Sequence, residues 1–260
     1  MIPYRGERRF GVWEEERVTV ENVLVSVVIP AYNEERRLGS TLSGWLEYLT
    51  GQPYAFELVV VDDGSRDHTS ALVLDIAQHS ANVRLHRLER NRGKGAAVRE
   101  GVLQSRGQYV FYVDADLNVA PTYLAPGLSA LQSGYDVVVG TRRLGEYIRT
   151  ERNLGRVVAG ALYQLVRRTV TLRSIRDTQC GFKGFTHTFA RRIFRVATIS
   201  SFAFDVEVLF LARKFHGRIK EMPVSVVYRP GSTVKWRSQL LPALLDLVRI
   251  RANDLRGRYD

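Results

Sequence analysis

Two carboxylates, Asp114 and Asp116, stand two residues apart directly after the apolar run Tyr109-Val110-Phe111-Tyr112-Val113. Where an extended chain breaks up at a strand end, both can turn toward one hard cation. Mg²⁺ or Mn²⁺ suits such an oxygen pair, because it keeps waters and takes further ligands from substrate phosphates. A bridging divalent ion there would stabilise a departing diphosphate. Three more polar clusters follow apolar runs: Pro30-Ala31-Tyr32-Asn33-Glu34, Asp62-Asp63-Gly64-Ser65 and Asn91-Arg92-Gly93-Lys94-Gly95. A carboxylate such as Asp63 can accept from uracil N3–H or guanine N1–H, and Tyr32 can stack on the ring. Lys94, after Gly93 in a loop opening a helix, can reach phosphate or sugar. Plain structural readings stand beside these: a solvated turn for Asp114-Ala115-Asp116, and an Asp-capped helix entry for Asp62-Asp63-Gly64-Ser65. The residue order around Lys94 does not fit a Walker A loop.

The elements that must position these groups are legible from periodicity. Val23 to Ile29 is a nearly continuous β-branched run that reads as a strand buried on both faces. Further strands are expected at Phe56–Val61, Val83–Leu88, Tyr109–Val113 and Asp136–Gly140. Helices are expected over 34–49, 69–77, 96–105, 154–170, 204–215 and 239–255 from apolar residues at three- and four-residue spacing. Strands alternating with helices imply βαβ units and a mostly parallel sheet, whose ligands sit beyond the carboxyl ends of the strands. All four polar clusters fall at such ends, so they should share one cleft.

Composition narrows the function classes. The 260 residues include 38 Lys and Arg against 27 Asp and Glu, a formal net charge of +11. From Gly140 to Arg195 there are 13 basic residues and 3 acidic ones. That half is either a solvated basic face or one that meets an anionic surface or phosphorylated substrate. Cys180 has no partner cysteine, so it reads as a buried structural thiol in a reducing compartment. No run of 18 apolar residues occurs, and Met1 to Arg17 lacks the apolar centre of a secretory signal. A cytoplasmic protein is expected, free or peripheral on the cytoplasmic face of a membrane. Leu154–Val170 and Gln239–Arg258 combine apolar faces with arginines, as interfacial helices and ordinary surface helices both do.

VVIPAYNEE, VVVDDGSRD, NRGKGAAVREG and YVDADLN stand in an order and spacing that resemble the inverting family 2 glycosyltransferases of GT-A fold. IRDTQCGFKGF and FAFDVEVLFLA resemble more narrowly the branch that transfers glucose or mannose to a polyprenyl phosphate, the dolichyl-phosphate β-glucosyltransferases most of all. The resemblance covers roughly residues 23–251. It implies an α/β, Rossmann-like, mostly parallel sheet flanked by helices, with a C-terminal amphipathic helical extension. The chain would divide into an N-terminal extension over 1–22, a GT-A domain over 23–235 (nucleotide-sugar half 23–140, acceptor half 141–235) and a basic helix over 236–260.

By the same resemblance, Pro30, Tyr32 and Glu34 line the nucleoside pocket, Asp63 meets the base with Asp62 beside it, and Lys94 and Asp114 hold the rest of the nucleotide sugar. Asp114, Asp116 and Asn118 are the implied ligands of Mg²⁺ or Mn²⁺. Asp116, Arg142 and Asp205 are the implied catalytic residues, and Arg142, Arg152 and Lys235 the acceptor-phosphate residues. UDP-glucose is the favoured donor and GDP-mannose the other, with a polyprenyl phosphate acceptor and peripheral contact with an anionic membrane surface. A hydroxyl acceptor is the alternative, and it would need a carboxylate base, for which Asp205 and Glu207 are the candidates. A nucleotide- or nucleic-acid-binding protein without activity is the remote alternative; the acidic cluster would repel a polyanion, and no nucleic acid is expected as a partner.

Overall fold

The computed structural model describes residues 23–142, 175, 177–227 and 236–260, the last segment with side chains from Pro242 onward. Seven strands form one sheet in the order β3-β2-β1-β4-β6-β5-β7. They are β1 (Val25–Ala31), β2 (Phe56–Asp62), β3 (Val83–Arg87), β4 (Tyr109–Val113), β5 (Val137–Arg142), β6 (Phe182–Thr186) and β7 (Ile219–Val224). All run parallel except β6, which is antiparallel to both β4 and β5. The expected mostly parallel α/β sheet is thus present.

Both faces of the sheet are covered, and for that reason every residue of β1 and β2 is buried; the two polar residues inside them, Ser26 and Glu57, bond to each other at 2.6 Å. Val25, Val27 and Ile29 enter one core layer while Val28 enters the other. The first layer is closed by α1 (Leu38–Thr50), α2 (Thr69–His79) and α4 (Leu124–Gln132), through Leu42, Trp45, Val73 and Leu128. The second is closed by α3 (Lys94–Gln104), α5 (His187–Val196), α6 (Phe204–Lys214) and α7 (Trp236–Leu255), through Val98, Ile193, Leu209 and Leu247.

Periodicity placed the first five strands to within two residues but assigned neither β6 nor β7. Within β6 the sequence FKGFT breaks the apolar pattern with Lys183, which is nevertheless fully buried, and with Gly184. Gly184 is required because the Phe111 ring of β4 occupies the space its Cβ would take. The edge strand β7 is largely half-exposed and gives little hydrophobic signal. Helix α5 carries Phe189, Ala190, Ile193 and Phe194 at helical spacing, a signal obscured by its three arginines. The expected helix over 154–170 and the N-terminal extension lie outside the described residues.

Glu207 of α6 fastens the second layer. Its buried carboxylate accepts from the N–H groups of Thr198 and Ile199, from the Thr198 hydroxyl and from the Tyr259 hydroxyl at 2.6 Å. The bond to Tyr259 ties the C-terminus to the segment that precedes α6. Replacing this acceptor leaves several buried donors without partners, each costing about 1–3 kcal/mol. Glu207→Ala should therefore lower unfolding stability by about 3 kcal/mol or more. Urea denaturation checks it, and a midpoint equal to that of the unchanged chain would dismiss the role.

Candidate active site

Strand order reverses beside β1, whose neighbours are β2 and β4, and ligands of open α/β sheets bind where such strands send their loops apart. A cleft of about 560 Å³ opens there. Pro30, Tyr32, Glu34, Asp63, Lys94, Asp114 and Asp116 all line it, so three strand ends and the N-terminus of α3 converge as the sequence pattern requires. The cleft also takes Arg37, Asn91, Phe202 and, from α7, Pro242, to none of which the sequence analysis gave a role. Phe202 and Pro242 come from segments distant along the chain, so local spacing carries no signal for them.

Backbone geometry fixes these loops. The Thr41 hydroxyl of α1 donates to the Ala115 carbonyl at 2.7 Å, and Leu117 adopts a left-handed conformation (φ 51°) that turns the chain sharply after Asp116. Gly181 packs so closely that a Cβ there would collide with the Asp114 carboxylate. Asp63 is buried and accepts from the N–H groups of Arg92 at 2.7 Å and Gly93 at 2.8 Å, anchoring the loop that presents Lys94. Gly93 has φ 97°, which favours glycine, and a Cβ there would collide with the Ser200 carbonyl. Asp62 faces inward: it accepts from Ser65 N–H at 2.8 Å and from the Ser70 hydroxyl, and it does not line the cleft. It shapes the turn below the site.

Lys94 Nζ lies 2.5 Å from Asp114 Oδ1 and within 6 Å of the Phe202 and Phe204 ring centres. Burial pushes the Asp114 carboxyl up, but the Lys94 ammonium, reinforced by Lys183 and Arg142, outweighs it and holds the group below the usual carboxylate range. For Lys94, burial acts to lower the pKa and is overcome by Asp114 and Asp205, so the ammonium stays charged. Asp116 moves the other way: burial, with the charge of Asp114 added, raises its carboxyl, against the pull of Arg37 and Lys94.

The donor set fits a divalent cation. Asp116 Oδ1 and Asn118 Oδ1 are buried and accept no hydrogen bond, while Asn118 Nδ2 donates to the other Asp116 oxygen at 2.5 Å. Two buried orphan oxygens on a bonded pair of side chains are a poor arrangement for a protein alone and a good one for a hard cation. Among the described residues no cluster of three or more His, Cys, Asp or Glu forms. A cation here would complete its shell with water and substrate phosphate.

Three expected residues are not in the cleft lining, although Arg142 is near enough to act on the charge of Asp114. Arg142, at the end of β5, makes a two-pronged fork with Asp177 (Nε–Oδ2 2.6 Å, Nη2–Oδ1 2.9 Å). Asp177 belongs to the IRDTQCGFKGF stretch, but its pairing with a residue 35 positions away carries no local signal. Asp205 is 2% exposed and accepts from the Tyr112 hydroxyl at 2.8 Å and from buried Lys183 at 2.5 Å. It does not line the cleft, and both of these bonds are to buried groups. Glu207, the other candidate base, is engaged as described above. Arg152 and Lys235 lie outside the described residues. Cys180 is 1% exposed, consistent with a structural thiol, and burial pushes it up to about 11.

The glycosyl transferase family 2 profile matches residues 26–197. The chain belongs to that family. A dolichyl-phosphate beta-glucosyltransferase of Dictyostelium discoideum is 34% identical over 267 residues, covering 96% of this chain and 81% of that protein. Its Homo sapiens counterpart by description is 35% identical over 249 residues, covering 90% and 77%. A crystal structure of glucosyl-3-phosphoglycerate synthase from Mycobacterium tuberculosis with Mn²⁺, UDP and glucosyl-3-phosphoglycerate superposes with a TM-score of 0.64. It is 18% identical and covers 95% of this chain and 87% of that one, a likeness of fold. Membership of family 2 identifies the chain as a nucleotide-sugar-dependent transferase.

Two expected outcomes follow from the opposed carboxylates of this family 2 glycosyltransferase. Asp116→Asn should weaken Mn²⁺ binding by about 100-fold, read by electron paramagnetic resonance; unchanged binding would rule out the donor set. Because the folded-state pKa of Asp116 is raised, it is protonated first as the pH falls, so Mn²⁺ affinity should drop at a pH above the ordinary carboxylate range. Cys180 should resist iodoacetamide in the native protein at pH 8 and react once urea unfolds it. Rapid native labelling would contradict its burial.

Proposed function

We propose that this glycosyltransferase moves glucose from UDP-glucose to a polyprenyl phosphate of the dolichyl type, with inversion at the anomeric carbon and a divalent ion, Mn²⁺ or Mg²⁺. Similarity to dolichyl-phosphate beta-glucosyltransferases over nine-tenths of the chain supports the sugar and the lipid. The Mn²⁺ and UDP of the superposed synthase support a uridine donor and the metal.

One observation carries the choice of a phosphate over a hydroxyl acceptor. Both carboxylates available as bases, Asp205 and Glu207, are buried and bonded to other groups. The cleft carboxylates are Glu34, forked by Arg37, Asp63, held by backbone N–H groups, and the pair Asp114 and Asp116. A hydroxyl must lose its proton to a base, whereas a phosphate monoester, with a second pKa of about 6, arrives as a nucleophile. The acceptor oxygen forms the bond to the anomeric carbon as the bond to the UDP oxygen breaks, and the electron pair leaves with UDP.

In this reading Tyr32, 38% exposed at the mouth of the cleft, stacks on the uracil, and Asp63 offers its remaining lone pairs to the base. Asp114, Asp116 and Asn118 hold the divalent ion, which as a Lewis acid would offset charge growing on the diphosphate. Lys94 turns from Asp114 to the same diphosphate and neutralises it from the other side. Arg142, steadied by Asp177, faces the incoming phosphate, with Arg152 and Lys235 supplying further positive charge. Among the described residues no helix is long and apolar enough to cross a membrane. We place the enzyme peripherally on the cytoplasmic face of the bilayer that holds its acceptor.

Purified protein with Mn²⁺ should convert UDP-glucose and a short polyprenyl phosphate into a glucosyl phosphate whose anomeric proton coupling is that of the β form. Lys94→Ala should lower kcat/KM by about 100-fold. Transfer to hydroxyl acceptors only, or an α-linked product, would overturn the assignment.

A further inference from the structure

A second cavity, of about 410 Å³, lies on the far side of the segment that borders the cleft. One wall is Thr198 to Ser201, and the other is the C-terminal part of α7 with Arg249, Arg256 and Arg258. The one acidic group in its lining, Asp246, is already paired with Arg249 at 2.7 Å, so the cavity carries an excess of positive charge. Its floor is built and buried. Asn253, 7% exposed, donates to Thr198 Oγ1 at 3.1 Å and to the Tyr259 hydroxyl at 3.3 Å, and accepts from Arg258 Nη1 at 3.3 Å. Beneath it Glu207 holds both Thr198 and Tyr259. Among the described residues the Arg256 guanidinium and the Ser200 hydroxyl and N–H have no partner.

We propose that this cavity is a binding site for a phosphate group, separate from the sugar-transfer cleft. Guanidinium groups on one wall and a hydroxyl and an N–H on the other form a two-sided set of donors that matches phosphate oxygens and offers nothing to a cation or an apolar ligand. The surrounding surface indicates where the phosphate comes from. Leu245, Val248 and Leu255 are exposed by 50%, 57% and 79%; Leu245 stands one turn from Arg249 on α7, and Leu255 ends the helix directly before Arg256. Exposed aliphatic side chains beside arginines suit a phospholipid headgroup with its acyl chains alongside, as in a helix lying at a bilayer surface. A free phosphate or phosphate monoester shares the same headgroup chemistry.

The position has a consequence for the cleft. Ser201 lines both cavities, and the Ser200 carbonyl accepts from Gly95 N–H at 2.9 Å in the first turn of α3, next to Lys94. Pro242 and Ala243 at the other end of α7 border the cleft directly. A phosphate seated here would hold α7 and the 198–201 segment together beside the cleft. The site does not depend on which sugar or acceptor the cleft uses.

The test uses the full chain and two probes. Inorganic phosphate is titrated by calorimetry, and flotation is measured with phosphatidylcholine vesicles with and without phosphatidic acid. The double variant Arg256→Gln, Arg258→Gln is compared with Arg251→Gln plus Arg213→Gln, which removes equal charge from the same end of the molecule without touching the cavity. Thermal unfolding confirms that both variants fold. Loss of about tenfold or more in affinity for either probe in the cavity variant, with the control unchanged, is the expected result. If inorganic phosphate shows that loss, the site takes phosphate itself; if only phosphatidic acid vesicles do, it takes the lipid headgroup. Equal loss in both variants would reduce the effect to general surface charge and overturn the proposal, as would failure of both probes to bind.

Discussion

Lys94 and Asp114 face each other at 2.5 Å where the N-terminus of α3 meets the end of β4, and the active cleft is organised around that pair. An ammonium and a carboxylate only partly open to water are best tolerated when each has further opposite charge nearby. The protein supplies it from Asp205 beside Lys94 and from Lys183 and Arg142 near Asp114, with Lys183 paired to Asp205, while Asp116 adds a like charge to Asp114. Each carboxylate acquires a different character from its neighbours. Asp114 is stabilised as an anion, whereas Asp116, crowded by Asp114 and with one oxygen unpartnered, is the group with most to gain from a cation.

Lys183 shows how far this constraint reaches into the fold. A fully buried lysine in a β-strand is unfavourable by itself, and it is held by Asp205, by the Cys180 carbonyl and by the face of Tyr112. To deliver it beneath the cleft, β6 must run antiparallel between β4 and β5, with Gly184 clearing the Phe111 ring and Gly181 clearing Asp114. The same arrangement accounts for Asp205. Asp205, at the start of α6, is the counter-charge of that buried ammonium.

The segment 198–202 links the two halves chemically. Its Ser200 carbonyl closes the first turn of α3, Phe202 stands beside the Lys94 ammonium, and Thr198 and Ile199 are bolted to Glu207 and through it to the C-terminal Tyr259. The loops that line the cleft therefore rest on Asn253 of the C-terminal helix and on Tyr259 just beyond it, although the two are more than 130 residues apart along the chain.

Residues 109–113 were legible as β4 because five consecutive apolar residues ending in aspartate have few other interpretations in a strand–helix alternation, and β1, β2 and the helices against them were legible for the same reason. The four polar clusters were legible as one cleft because parallel strands all deliver their carboxyl ends to the same edge. Those inferences need only local periodicity and the geometry of parallel strands. What required the tertiary structure was every feature set by pairing across long distances in sequence: the reversed strand carrying Lys183, the Arg142–Asp177 fork, the inward turn of Asp62, and the burial of Asp205 and Glu207. A charged side chain looks the same in a sequence whether it will face solvent, substrate or an opposite charge. Only packing decides which, because burial and the nearest counter-charge determine what a carboxylate or an ammonium can do.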